Sequence, residues 1–263
     1  RLWYLIGKTK FGLLLVKHYL TKALQSLSPH VCEFQVPYSL IKGHYQEKLV
    51  LDVETLRIQN WLRSKAILND EYIALKDCFV GGGDWSQIIE PLTASKLHTE
   101  AYEVYKFRLN FLEIPTYQRL CKMIKKNHQV LHNYCLLKNE EDLKSYFEHY
   151  LAVLESIERH GLVRQNKFSP SELGWKRNQS RTYWHELEEE DIGVAVGHDG
   201  ELYRFRGGTH RFVFARCLGI KWIPVTVKII HINWLKHVMD VTRLSPHDAI
   251  VNGISLLSKT AKL

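Results

Sequence analysis

The stretch from Asp191 to Ile230, DIGVAVGHDGELYRFRGGTHRFVFARCLGIKWIPVTVKII, restricts the fold more than any other part of the chain. Ile192 to His198 alternates apolar with small residues, and Asp199-Gly200 is a strong signal for a tight hairpin turn. Glu201 to Gly207 reads as the returning strand. A two-residue turn would set Val196 against Tyr203 and Val194 against Phe205 as an apolar face. The opposite face would then hold Ala195 across from Arg204 and Gly193 across from Arg206, an open and positive surface. The chain next meets Gly207-Gly208 and enters an apolar helix, Phe212 to Leu218, that Gly219 ends. A strand follows, with Pro224 near its start, where a missing N–H is tolerated. Hairpin, glycine turn, buried helix and strand in this order require a mixed α+β core.

The glycine turn also suggests chemistry. The first N–H groups of a helix lack helical partners, and the helix dipole adds positive potential there. At this helix start Thr209 adds a hydroxyl, His210 a titratable donor and Arg211 a bidentate clamp. Gly207, Gly208, Thr209, His210 and Arg211 are therefore the candidate phosphate-binding residues, with Arg204 and Arg206 beside them. The alternative is a Thr cap with Arg211 in a buried ion pair. The 263 residues carry a net charge of +8, which is compatible with anionic partners and does not choose among them.

These residues resemble a known family. GGTHRFVFARCLGIKWIPVTV is similar to the signature of the ParB/sulfiredoxin-like superfamily: a strand, Gly-x-(His or Arg)-Arg, a helix with Ala, Leu-Gly and Ile-Pro-Val. Chromosome-partition ParB domains, sulfiredoxins and free-serine kinases share it, and in these the Gly-x-x-Arg turn sits on nucleotide phosphates. Four further segments resemble an uncharacterised ParB-like subgroup: Leu51-Asp52-Val53, Gly82-Gly83-Asp84-Trp85, Glu155 to Gly161, and Ile192-Gly193-Val194. The resemblance implies a ParB/sulfiredoxin-like mixed sheet over residues 48–235, with a helical insertion at about 96–188. Residues 1–47 would form an N-terminal helix and loop, and residues 236–263 a C-terminal helical tail.

Departures from the family pattern narrow the function. Thr209 stands where sulfiredoxins carry their nucleophilic Cys, and threonine forms no thiosulfinate. Gly207 stands where the serine kinases carry an acid. Residues 236–263 are too short for the helix-turn-helix domain that follows the ParB fold. What the resemblance implies is a nucleotide-dependent, kinase-like phosphotransferase using ATP or another nucleotide, with Mg2+, on a small-molecule acceptor or an exposed hydroxyl. Phosphoryl transfer needs charge clamps and an acid that takes the nucleophile's proton. Asp191, Glu190 and Asp84 are the candidate acids, with His210 beside them. The alternative is a non-catalytic regulatory module that binds a nucleotide or nucleic acid.

Other features bear on partners and compartment. Cys32, Cys78, Cys121, Cys135 and Cys217 are an odd number with no C-x-x-C pair, so reduced thiols in a cytoplasmic protein are expected. His128 and His132 would lie one turn apart on a helix, with Cys135 near. They lack a fourth ligand, so a zinc site is not expected there. Residues 1–27 read as one helix, interrupted by Lys8, Lys10, Lys17 and Lys22 and too charged to cross a membrane. Packing on the protein itself is its expected role; peripheral contact with an anionic membrane through Trp3, Phe11 and Leu13 to Leu15 is the alternative. Elsewhere, Lys48 to Val53 reads as a strand and Glu54 to Arg63 as a short helical piece. Lys96 to His132 reads as mostly helical, broken at Pro115. Glu140 to His160 is a helix capped by Asn139 and Gly161, and 164–188 is a long polar loop.

Overall fold

A computed structural model describes residues 2–25, 36–68, 71–75, 78–126, 129–133, 135–164 and 191–259. The chain opens with α1 (Leu2–Gly7) and α2 (Lys10–Gln25). They are two helices where the sequence suggests one. The Thr9 hydroxyl accepts from the Gly12 N–H at 3.0 Å and donates to the Ile6 carbonyl at 2.7 Å, so it closes one helix and caps the next. Then follow α3 (Tyr38–Tyr45), β1 (Val50–Glu54), β2 (Asn60–Leu62), β3 (Lys65–Leu68), β4 (Glu71–Ala74), β5 (Val80–Gly81) and β6 (Ile89–Pro91). Next come α4 (Lys96–Lys106), α5 (Pro115–Lys125), β7 (Val130–His132), β8 (Cys135–Leu137) and α6 (Glu140–His160). The last part holds β9 (Ile192–Val196), β10 (Leu202–Arg204), α7 (Thr209–Cys217), β11 (Trp222–His231), α8 (Ile232–Thr242) and α9 (Pro246–Lys259). The protein is mixed α+β. Among the described residues no helix is long and apolar enough to cross a membrane.

Two compact units emerge. The first comprises Arg1–Pro91, Gly193–Arg206 and Pro224–Leu263; the second comprises Leu92–Ile192 and Gly207–Ile223. The first unit is built on a mixed sheet in the order β1-β11-β9-β10-β2-β6, with β5 also paired to β11. Its centre is apolar: Leu62, Cys78, Trp85, Ala195, Phe205 and Ile229 pack together. β9 is buried along its whole length, which explains its run of small and aliphatic residues. β2 lies where a helical piece was expected, because Asn60 to Leu62 pairs with β6. On the helical side, His44 of α3 and His247 of α9 share a 2.8 Å hydrogen bond, and the Tyr45 hydroxyl donates to the His247 carbonyl.

The hairpin register differs from the sequence expectation. Leu202 pairs with Val196, Tyr203 with Ala195 and Arg204 with Val194. Gly197 donates to the Glu201 carbonyl at 2.8 Å, closing a three-residue loop of His198, Asp199 and Gly200 in which Gly200 has φ 88°. A left-handed third residue is the usual chemistry of such a loop. One extra loop residue slips the pairing by one and exchanges the faces. Ala195 joins the core with Phe205, and the open, positive face does not form.

The second unit is mostly helical. α7 packs on α4 and α6, and α5 packs on α6. Pro115 opens α5 at its first turn, where its missing N–H costs nothing. The chain then turns to the β7–β8 hairpin, so the helix expected to reach His132 stops at Lys125. α6 is formed and capped as its sequence indicates. The Asn139 side chain accepts from the Asp142 N–H at 2.8 Å, and Gly161 closes it at φ 72°. Asn139→Ala should therefore cost about 1 kcal/mol. A thermal melt checks this, with a drop in Tm of about 2–4 °C expected.

Candidate functional site

The turn into α7 is set by two glycines. Gly207 has φ 74° and Gly208 φ 65°, the left-handed region that side chains with a Cβ rarely adopt. At Gly208 there is a second constraint, since a Cβ would lie 3.0 Å from the Ile192 Cα. The close approach brings the backbone after Asp191 against the helix start. Gly208 is the cap residue: its carbonyl accepts the first helical bond, from the Phe212 N–H. Thr209, His210 and Arg211 fall in the first turn, ahead of that bond. Gly207, Gly208 and Thr209 are partly open to solvent.

Charge gathers at this turn. Arg211 is buried, and its guanidinium donates to the Val163 carbonyl. Burial pushes its pKa down from the ordinary value while Asp191 pulls it up, and a guanidinium so placed stays charged. Arg164 forms an ion pair with Asp191 at 3.3 Å. Asp191 thus sits among two guanidinium groups, paired with Arg164 and acting on Arg211. Arg164 escaped sequence analysis because it borders the polar loop with no motif around it.

His210 points away from the turn. It is buried, and its Nε2 lies 3.0 Å from Glu100 Oε1. Its ring stacks on Tyr150 with centroids 3.7 Å apart. The phosphate-clamp role expected for His210 therefore gives way to a structural one, because α4 places a carboxylate beneath the first turn of α7. Glu100 is 2% exposed and gathers three donors. The Tyr146 hydroxyl donates to Oε1 at 2.6 Å, His210 approaches the same oxygen, and His132 Nε2 lies 2.5 Å from Oε2. Asn133 extends the network by donating to the hydroxyls of Tyr146 and Tyr150. Burial pushes the Glu100 carboxyl up, but the hydrogen bonds and charges of His132 and His210 outweigh it and hold the group well below the carboxylate range. Burial next to Tyr150 and Glu100 pushes the Tyr146 hydroxyl well above its ordinary value. Glu100 carried no sequence signal, since its partners come from three separate elements.

The remaining candidates have other surroundings. Arg204, in the first unit, is buried, and its guanidinium donates to the carbonyls of Gly193 at 2.7 Å and Arg206 at 3.2 Å. It binds backbone there, which is the consequence of the shifted register. Arg206 is partly exposed in the same unit. Asp84, also in the first unit, is exposed and caps a short 3-10 turn at Trp85–Ile88. The Ser86 hydroxyl and N–H and the Gln87 amide hold its carboxyl below the ordinary value. Trp85 donates to the Gly82 carbonyl at 3.1 Å, and His231 bonds Gly83, so this glycine run is a pinned turn. Glu190 lies outside the described residues, as does His128. His132 sits on a strand and is engaged by Glu100, so the helical His pair with Cys135 is not formed. Among the described residues no group of three or more His, Cys, Asp or Glu is arranged to hold a metal ion.

The chain matches no protein-family model, no curated protein and no solved structure.

Proposed function

We propose that the second unit binds the phosphates of a nucleotide at the turn into α7, in the manner of the ParB/sulfiredoxin-like superfamily, and acts as a kinase-like phosphotransferase. One observation carries the reading. Two left-handed glycines open a buried helix beside the guanidinium groups of Arg211 and Arg164. An anion there meets the positive end of the helix dipole and the guanidinium groups of Arg211 and Arg164. The absence of a Cβ at Gly208 lets the backbone at Ile192 close on the helix start, which keeps Asp191 at the turn.

In this reading Arg211 and Arg164 hold and orient the phosphates. Asp191 takes the proton of the acceptor hydroxyl as the new O–P bond forms and the bond to the leaving nucleotide diphosphate breaks. A magnesium ion fits this donor set only with help from the phosphates, since Asp191 supplies one carboxylate; bound there, it would neutralise phosphate charge. The alternative is a non-catalytic nucleotide-binding module. It is favoured by the Arg164–Asp191 ion pair, which already occupies the carboxylate.

A thermal-shift series with ATP, CTP and GTP, with and without magnesium, tests the reading. At about a hundredfold excess over Kd, a site of this kind should raise Tm by about 5–10 °C. Arg164→Ala, a change near the surface, should lose most of that shift. Nucleotide that stabilises and is consumed supports the phosphotransferase, and stabilisation without consumption supports the module. If no nucleotide shifts Tm in the wild type, both are rejected.

A further inference from the structure

We infer that α1 and α2 form a docking surface for an anionic lipid bilayer. The inner face of α2 is accounted for: Val16, Leu20 and Ala23 are buried in the first unit. Large apolar side chains nevertheless remain on the outside. Leu2 is 70%, Phe11 61% and Leu14 64% exposed, and Trp3 and Leu5 are exposed as well. Single exposed apolar residues are ordinary, but a concentration of this size over two adjoining helices marks an interaction surface. The Trp3 ring meets Tyr19 edge-on with centroids 6.2 Å apart, so the two helices carry their outward residues side by side.

The charge pattern selects the occupant. On α2, Lys10, Leu14 and Lys17 share one exposed stripe, and Phe11, His18 and Lys22 share the next. Lysines therefore flank the apolar residues on both sides. Lys8 follows α1 with its ammonium 4.6 Å from the Tyr4 ring centroid, a contact that leaves its charge intact. The sequence has no Asp or Glu before Glu33, while Arg1, Lys8, Lys10, Lys17 and Lys22 are all cationic. Asp248 of α9 lies close enough to feel Lys17. An apolar strip flanked by lysines complements a bilayer of anionic lipid: the rings and leucines enter the acyl boundary, and the lysines extend to the headgroups. A partner protein with an acidic groove would meet the same lysines, and failure to pellet with anionic vesicles is the outcome that leaves the surface to it.

Co-sedimentation of the full chain with vesicles decides the matter. The protein should pellet with equimolar phosphatidylcholine and phosphatidylglycerol, and far less with phosphatidylcholine alone. Raised salt should weaken the association. Phe11→Glu with Leu14→Glu should lower partitioning by more than about tenfold, as should Lys10→Gln, Lys17→Gln and Lys22→Gln together. Both variants should keep the wild-type melting temperature, because these side chains lie outside the core. Failure to pellet with anionic vesicles would overturn the proposal, as would equal binding to both lipids or by both variants. A wild-type dimer that Phe11→Glu with Leu14→Glu converts to monomer would also overturn it, by assigning the surface to a second copy.

Discussion

Replacing Glu100 by alanine is expected to lower stability by about 3–5 kcal/mol, the range for removing one partner from a buried charged network. The carboxylate is nearly inaccessible and serves His132, His210 and Tyr146 at once. Its loss leaves the buried His210 and Tyr146 without their shared acceptor, and His132 without its partner. Glu100→Gln tests the charge separately, since it preserves volume. The folded carboxyl is held well below its ordinary value of 4.5, so between the two values the unfolded chain binds more protons. The contribution of Glu100 is thus complete above pH 4.5 and is lost as the pH falls through the folded value. Urea melts from neutral pH down into the acid range should show Glu100→Gln less stable at neutral pH and less acid-sensitive than the wild type. Parallel curves for the two proteins would remove the carboxylate from its role.

Gly193→Ala is expected to cost about 3 kcal/mol or more, or to prevent folding altogether. A Cβ at this position would lie 2.1 Å from the Arg206 carbonyl oxygen and 2.8 Å from the Lys228 Cγ. The lysine can move, but the carbonyl belongs to backbone that Arg204 holds in place. Gly193 also accepts from the Phe205 N–H and from the Arg204 guanidinium. A shift of the strand would therefore disturb the packing of Phe205 and the satisfaction of Arg204 together. Chemical denaturation measures the loss. A variant within about 0.5 kcal/mol of wild type, the range of a neutral surface change, would show that this close approach is not maintained.

Sequence and structure agree where short-range chemistry decides the outcome. α6 is bounded by Asn139 and Gly161, and α7 by Gly208 and Gly219, because caps act within one turn. The strand β9 follows from its alternation of aliphatic and small residues, and β11 from Ile223, Val225, Val227 and Ile229 at every second position. The hairpin register was not legible, since Asp199-Gly200 suits both a two-residue turn and a three-residue loop with Gly200 left-handed. That single residue decides whether Arg204 faces an anion or its own backbone. His210 could not be assigned from its neighbours either. The group that turns it inward is Glu100, far away along the chain, with nothing in its own segment to announce it. The β7–β8 hairpin was hidden because Val130 to His132 is too short for alternation to separate it from the end of a helix.

The central claim is that phosphate sits at the turn into α7, and amide NMR of the labelled protein tests it most directly. Titration with ATP should move the N–H resonances of Gly207, Gly208 and Thr209 along one saturable curve, and inorganic phosphate should move the same three less strongly. If ATP binds while these three resonances stay in place, or if it moves no resonance at all, the phosphate site is elsewhere or absent and the proposed function is wrong.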